Sequence, residues 1–305
     1  MRKKKYLFVT CMLLAIALAS AIFTKMYVDM EERGGDEEKL HIVTSFYPVY
    51  IAAKNVVGDS EGVILENLSE PQTGCMHDYQ LTPQDMILLS KADLFLVNGG
   101  GIESFLGEVG ESYPNLVLVK TMEENEESDN PHGWMDTRKY AQMVRNIADA
   151  LSDADKAHAE FYQKQAEDYC AEIEKLTEQA AEIQKRFQEK DKAEVPGSSV
   201  VIFHEAYEHL TEEVGMKVVY CLDLDEERQV SAGEMADMME EMERNQVSVI
   251  LAEELYGKDT GETVEQETDC SVYYLDTLVR GSYDKDSYLK GMQKNLDIIR
   301  EISEK

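Results

Sequence analysis

Fifty-six consecutive residues, 137–192, contain neither glycine nor proline, and no other feature limits the fold of this 305-residue chain as strongly. Ala, Glu, Lys and Gln dominate the stretch, and Phe161, Ala166, Tyr169, Ile173 and Leu176 recur at helical spacing. Such a composition keeps helix propensity high and supplies no break. It predicts a helix to about Ala150, a break near Ser152 and Asp153, and then one helix of about 35 residues. A coiled-coil partner helix is the rival reading, but fewer than three clean heptads are present. A single long helix in mid-chain is better read as a stiff connector between two lobes. At roughly 150 residues per domain, the chain is long enough for both.

On either side of this helix, short apolar runs alternate with helical stretches. Residues 41–46, 63–68, 94–97 and 116–119 read as strands before it, and 200–203, 217–222, 247–251 and 271–275 after it. Thr82 followed by Pro83 opens one helix, a hydroxyl cap with proline at the first helical position. The last helix runs over 286–303. Strands interleaved with helices predict parallel sheets, hence two Rossmann-like α/β lobes joined by a long rigid helix. The organisation expected is a signal peptide or membrane anchor at 1–30, a linker at 31–39, an N-terminal lobe at 40–152, the linker helix at 153–192 and a C-terminal lobe at 193–305. A strand order of 2-1-3-4 in the second lobe would put Cys221 and Cys270 on non-adjacent strands, so both are expected as free thiols.

The start of the chain sets its compartment. Arg2, Lys3, Lys4 and Lys5 precede 18 residues, 6–23, with no charge. That is an export signal or an uncleaved anchor, and the remainder lies outside the cytoplasmic membrane, tethered or released. Thirty basic against 61 acidic residues give a net charge of −31. A surface this acidic repels phosphate backbones, which argues against nucleic acid, and suits cationic partners. Five cysteines with no C-x-x-C pair exclude a zinc ribbon and a dense disulfide framework.

Chemistry is concentrated in the histidines. Of six, three fall where a strand hands over to a loop: His77, His132 and His204. Asp276 occupies the same kind of position after residues 271–275. Ligands of open α/β sheets bind beyond the carboxyl ends of the strands, so these four side chains can converge, and three imidazoles with a carboxylate make a closed tetrahedral zinc site. Taken singly, each histidine is more often a surface or hydrogen-bonded residue, and Asp276 alone could cap the turn that follows. His41, His158 and His209 keep that bland reading, His158 in a polar helix. His209 is read as sharing a helix with His204, about 140° around it, where one metal would not take both. The run His204-Glu205-Ala206-Tyr207-Glu208-His209 is not a zinc-protease motif, because H-E-x-x-H requires a histidine at position 208.

Six segments in order carry a resemblance: Thr44-Ser45-Phe46-Tyr47-Pro48-Val49-Tyr50; Gly74 to Asp85 around His77; Leu89 to Gly100; Asn130-Pro131-His132-Gly133-Trp134-Met135-Asp136; Phe203-His204-Glu205-Ala206-Tyr207; and Leu275-Asp276-Thr277-Leu278. Together they resemble the metal-binding (cluster A-I, zinc-type) substrate-binding proteins of ABC transporters over residues 40–300. The resemblance implies a non-catalytic, two-lobed binder that moves little and hands a divalent metal to a membrane permease. It puts the ligands on His77 and His132 from the N-lobe and His204 and Asp276 from the C-lobe. The third position is a histidine here, as in zinc-type members, whereas manganese-type members commonly use a glutamate; imidazole suits Zn2+ and oxygen ligands suit Mn2+. The expected cargo is therefore Zn2+, with Mn2+ or Fe2+ as the alternative, and the expected form is a monomer.

Departures from the pattern are local. Met76 replaces the usual proline, Glu254 follows Glu253 where the family has Glu-Pro, and threonine rather than proline follows Asp276. Cys75, two residues before His77, would supplement or compete for soft metals as a thiolate; the reading taken is an idle or buried thiol. Residues 123–129 are acidic where zinc-type relatives often carry a histidine-rich loop, and either gather cations or are simply solvated. Outside the binder class, a chelatase-like enzyme would use three ligands, an exchangeable water and Glu205 as base.

Overall fold

The computed structural model describes residues 39–122, 130–192, 198–224, 228 and 230–305. The export segment at 6–23, most of the 31–39 linker and the acidic loop at 123–129 lie outside the described residues. Among the described residues, no helix is long and apolar enough to cross a membrane.

Two four-stranded parallel sheets form the frame. The first holds β1 (Leu40–Thr44), β2 (Val63–Asn67), β3 (Leu94–Val97) and β4 (Val117–Lys120) in the order β2-β1-β3-β4. The second holds β5 (Ser199–Ile202), β6 (Lys217–Cys221), β7 (Val249–Ala252) and β8 (Ser271–Tyr274) in the order β6-β5-β7-β8. Both run in the order 2-1-3-4, which for the second lobe is the order considered for its cysteines. In the second, Cys221 and Cys270 belong to opposite edges, about 14 Å apart by strand spacing, which no disulfide bridges. None of the four described cysteines is in a disulfide.

Helices close the crossovers. In the N-lobe these are α1 (Tyr47–Val57), α2 (Pro83–Leu89) and α3 (Leu106–Ser112). Thr82 caps α2 in a capping box with Asp85, as the Thr-Pro start predicts. Then come α4 (Thr137–Ala154) and α5 (Ala159–Lys192), the second 34 residues long. The break between them falls at 155–158, three residues later than the sequence suggests, because Leu151 stays in the core and carries α4 one turn further. His158 sits in that break and not in a helix, its Nδ1 2.7 Å from Asp155. In the C-lobe, α6 (Tyr207–Glu213), α7 (Ala232–Arg244) and α8 (Glu254–Glu267) connect the strands. Because α6 begins at Tyr207, His204 lies ahead of it in a turn, so His204 and His209 do not share a helix. The last helix, α9 (Ser287–Glu304), packs against α5 and α1.

The core is continuous across the lobes. One buried cluster joins Ile42, Phe46 and Leu96 of the first sheet region to Ile173, Ile183 and Phe187 of α5, to Val200, Ile202 and Leu251 of the second sheet, and to Tyr288, Leu296 and Ile299 of α9. The alternate residues of β5 and β7, Val201 and Ile250, face a second cluster with Met238 and Met242 of α7 and Val264 of α8. The period of two along buried parallel strands thus sends one face of the C-lobe sheet to the shared core and the other to its own.

Candidate metal centre

Three loops bring the histidines together. His77 follows β2 on a turn that begins at Gly74, whose φ of 89° suits glycine, and is held by Met76, fully buried in the core. Burial of Met76 anchors the turn. Tyr79 ties the same turn forward, its hydroxyl donating to Asp85 at 3.0 Å.

His132 precedes a short 3-10 turn, Gly133–Met135. Behind it, Asn98 Nδ2 donates to the Pro131 carbonyl at 2.9 Å, and Gly99, Gly100 and Gly101 all hold positive φ, with Gly100 packed on Pro131. Glu103 fixes that glycine loop by accepting from Ser45 Oγ, Asn98 N and Gly99 N at 2.7–3.0 Å. Trp134 packs 5.0 Å from the His132 ring and donates from Nε1 to the Thr277 carbonyl at 2.9 Å. The single tryptophan of the chain therefore joins the His132 turn to the Asp276 turn.

Ring orientation decides what His132 can do. Its Nδ1 lies 2.9 Å from Asn130 Oδ1, an acceptor, so Nδ1 carries the proton and the Nε2 lone pair is left for a ligand. That Nε2 is 3.2 Å from His77 Nε2 and 3.8 Å from Cys75 Sγ. Two nitrogens bound about 2.0–2.1 Å from one tetrahedral ion lie about 3.3 Å apart, close to the His77–His132 separation. Burial, and then the neighbouring His204, His77 and His209, hold His132 well below the ordinary imidazole range, so it is neutral and able to ligate at neutral pH.

His204 approaches from the turn after β5, edge-on to His132 with ring centroids 5.3 Å apart. Its Nδ1 accepts the Ala206 N–H at 3.0 Å, which puts the proton on Nε2. Ligation through Nε2 requires that bond to be given up, at a cost of about 1 kcal/mol.

Among the described residues, two groups of three potential ligands have ligand atoms mutually within 4.8 Å: Cys75, His132 and His204; and His77, His132 and Glu205. Glu205 Oε1 lies 3.4 Å from His132 Nδ1 and 3.7 Å from His77 Nε2. Burial, then Asp223 and Glu208, push its carboxyl upward. Asp276 belongs to neither group. Its Oδ1 accepts the Leu278 N–H at 2.8 Å, and Asn295 bonds both its backbone N–H and its carbonyl. The turn-capping reading of Asp276 describes these contacts. Cys75, by contrast, is partly buried, and its Sγ lies in one of the two groups, beside His132.

The remaining histidines stay out. His209 is buried in a polar network, Nε2 donating to the Asn130 carbonyl at 3.0 Å and Nδ1 accepting from Lys139 at 2.9 Å. His41 lies in β1. Asn130 is the residue sequence reasoning missed. Its Oδ1 takes both the His132 ring and backbone N–H, while its Nδ2 donates across the cleft to the Glu205 carbonyl and Glu208. An asparagine two residues before a histidine is a local signal for such a turn, but its cross-lobe partners are 75 and 78 residues away.

With this geometry in hand, the likeness to known proteins is informative. The family model described as zinc-uptake complex component A, periplasmic (ZnuA), matches residues 42–302. The high-affinity zinc uptake system protein ZnuA of Bacillus subtilis is 26% identical over 290 residues, which span 87% of this chain and 88% of that protein. The iron-binding protein YfeA of Yersinia pestis is 27% identical over 277 residues, 86% of each chain. In fold, the chain is similar to the solved structure of the substrate-binding protein FpvC of Pseudomonas aeruginosa in complex with Mn2+. The TM-score is 0.75 at 23% identity, covering 87% of this chain and 98% of that one. From its sheet order, its cleft and this match over most of its length, the chain belongs to the zinc-uptake complex component A (ZnuA) family, metal-binding substrate-binding proteins of ABC transporters.

Proposed function

We propose that the protein captures one divalent transition metal ion between its lobes and delivers it to an ABC permease outside the cytoplasmic membrane, with Zn2+ as the cargo. Mn2+ and Fe2+ are the alternatives, in keeping with a relative named as iron-binding and a neighbour solved with Mn2+. It acts as a carrier and not as an enzyme. The ligands proposed are His77, His132 and His204, with a fourth from Asp276 as the family resemblance implies; Asp276 joins through a movement of the turn that carries it. The partition into lobes at 40–152 and 193–305, a linker helix at 153–192 and an export segment at 1–30 belongs to the same proposal.

One observation carries the reading: the buried, neutral His132 directs a ring nitrogen at His77 Nε2, 3.2 Å away, with its other nitrogen held by Asn130. In one neutral tautomer the His77 Nε2–H donates to that nitrogen; in the other, both lone pairs face one point, the arrangement a cation takes up. Three imidazoles favour Zn2+ over Mn2+, which prefers oxygen.

The test is competition with a metal indicator on chelator-stripped protein, titrating Zn2+ and Mn2+ beside His132→Ala and His204→Ala. One-to-one zinc binding, weaker manganese binding and a loss in both variants are expected. Preference for manganese, or indifference to His204, would reassign the ligands. Hydrolytic chemistry at Glu205 would instead appear as zinc-dependent turnover lost in Glu205→Gln.

A further inference from the structure

We propose that Cys75, in place of the Asp276 that the family resemblance implies, is the fourth ligand of the transported ion, so that the site selects thiophilic cations such as Zn2+ and Cd2+ against Mn2+. The inference rests on the reading that this cluster binds the cargo. It names a ligand that the family pattern does not supply.

Geometry is the first support. Sulfur at about 2.3 Å and nitrogen at about 2.0–2.1 Å from one tetrahedral ion are about 3.6 Å apart. Cys75 Sγ is 3.8 Å from His132 Nε2, and it shares with His132 and His204 a group whose ligand atoms all lie within 4.8 Å. His77 Nε2 reaches the same His132 nitrogen at 3.2 Å. Cys75 and His77 flank Met76, whose side chain is 0% exposed and pins the turn between them, and each approaches the same His132 nitrogen in a group of its own.

The second support is the alternative's position. Asp276 is outside both groups, and one of its carboxylate oxygens already caps the turn at Leu278. Cys75 Sγ faces an imidazole nitrogen. On binding, the thiol proton leaves to solvent and the thiolate cancels one of the two metal charges. Glu205, with Oε1 3.4 Å and 3.7 Å from the His132 and His77 rings, offsets the other from just outside. A thiolate is a poor ligand for Mn2+ and a good one for zinc, which sets the direction of selectivity.

Cobalt is the probe, because thiolate ligation gives it a near-ultraviolet charge-transfer absorption that nitrogen and oxygen ligands do not. The full chain, held in mild detergent and stripped of metal, is titrated with Co2+ and back-titrated with Zn2+. The expected result is a charge-transfer band that saturates at one equivalent and is displaced by zinc. It is lost in Cys75→Ser while the visible cobalt bands persist, and it is kept in Cys270→Ser. Zinc affinity should fall about 10- to 100-fold in Cys75→Ser, with manganese affinity changed far less. Cobalt bound with dependence on His132 but without the band, or with a band that survives Cys75→Ser, overturns the thiolate and leaves the carrier reading intact. Failure to bind cobalt or zinc at all removes both. Circular dichroism of each variant separates loss of a ligand from loss of fold.

Discussion

Glu213→Gln should make the protein more stable at neutral pH and nearly unchanged in acid. Glu213 ends α6 in the C-lobe, and its carboxylate receives the Thr137 backbone N–H at 3.0 Å and the Thr137 hydroxyl at the start of α4. It therefore caps a helix of the other half of the molecule while only 4% exposed. Burial, then the charge of Asp136, pushes its carboxyl up to about 7 from an ordinary 4.5, with the Thr137 bonds and Arg138 only partly opposing. For an acid raised in this way, the sign is fixed. Its contribution to stability is fully present below the unfolded value of about 4.5 and is lost as pH rises through about 7.

The size follows from the same two values. At 1.36 kcal/mol per unit, the ionised carboxylate costs wild type about 1 kcal/mol at about pH 5 and about 3 kcal/mol at about pH 8. Glutamine carries no such term and still offers one acceptor to Thr137 N. Any hydrogen bond it makes less well is a constant offset, so the quantity to read is the change of the stability difference with pH. Between about pH 5 and 8 the variant should gain about 2 kcal/mol on wild type. Urea unfolding of metal-free protein, followed by the fluorescence of the buried Trp134 and by circular dichroism, measures it. Stability curves that stay parallel within about 0.5 kcal/mol over that range would refute the claim that burial outweighs the Thr137 bonds.

Three further outcomes follow. Asn130→Ala frees the His132 ring, and indicator competition should show zinc binding weakened about 10- to 100-fold. Trp134→Phe removes the Nε1 bond to the Thr277 carbonyl and leaves that acceptor buried, a loss of about 1–3 kcal/mol readable by urea unfolding with circular dichroism. Zinc affinity should weaken as pH falls, because ligands must shed their protons before they bind, with His132, kept neutral by burial, the last to be affected; a flat profile between about pH 7.5 and 5.5 would mean that neither an ordinary imidazole nor a thiol is a ligand.

Much of this architecture is visible in the residues because each part rests on a local pattern. Apolar runs bounded by turns mark the strands, the glycine- and proline-free stretch marks α4 and α5, and Thr82-Pro83 marks the start of α2. Boundaries held by tertiary packing are less visible: α4 runs on to Ala154 because Leu151 is buried against its neighbours. The sequence reads His204 as helical because no local signal separates it from Tyr207, where α6 begins. At the site, the positions of His77, His132 and His204 after strands were legible, and their convergence follows from two parallel sheets facing one cleft. The ring-setting contacts were not. Asn130 with Glu205, and Cys75 with His132, are pairings across 75 and 57 residues that no periodicity encodes.

How the ion enters and leaves is constrained by the core. A hinge that parted the lobes would separate Ile202 and Leu251 of the second sheet from the cluster they share with α5 and α9. Exposing even about 200 Å² of such surface costs about 5 kcal/mol at 25 cal/mol per Å², a large share of the stability of most proteins. The inter-lobe ties run the same way: Tyr140 stacks on Tyr288 at 3.5 Å, and the Tyr288 hydroxyl donates to the Trp134 carbonyl. His132 sits within this rigid part, wholly buried, whereas the side chain of His77 is 41% exposed on a turn held mainly by Met76 and Tyr79. Displacing that turn would part both proposed contacts it carries, His77 and Cys75, and expose Met76, a cost of about 1.5–3 kcal/mol that is still below that of the hinge. On the proposed ligand set, exchange of the ion is therefore cheapest through the His77 turn, with His132 as the fixed point.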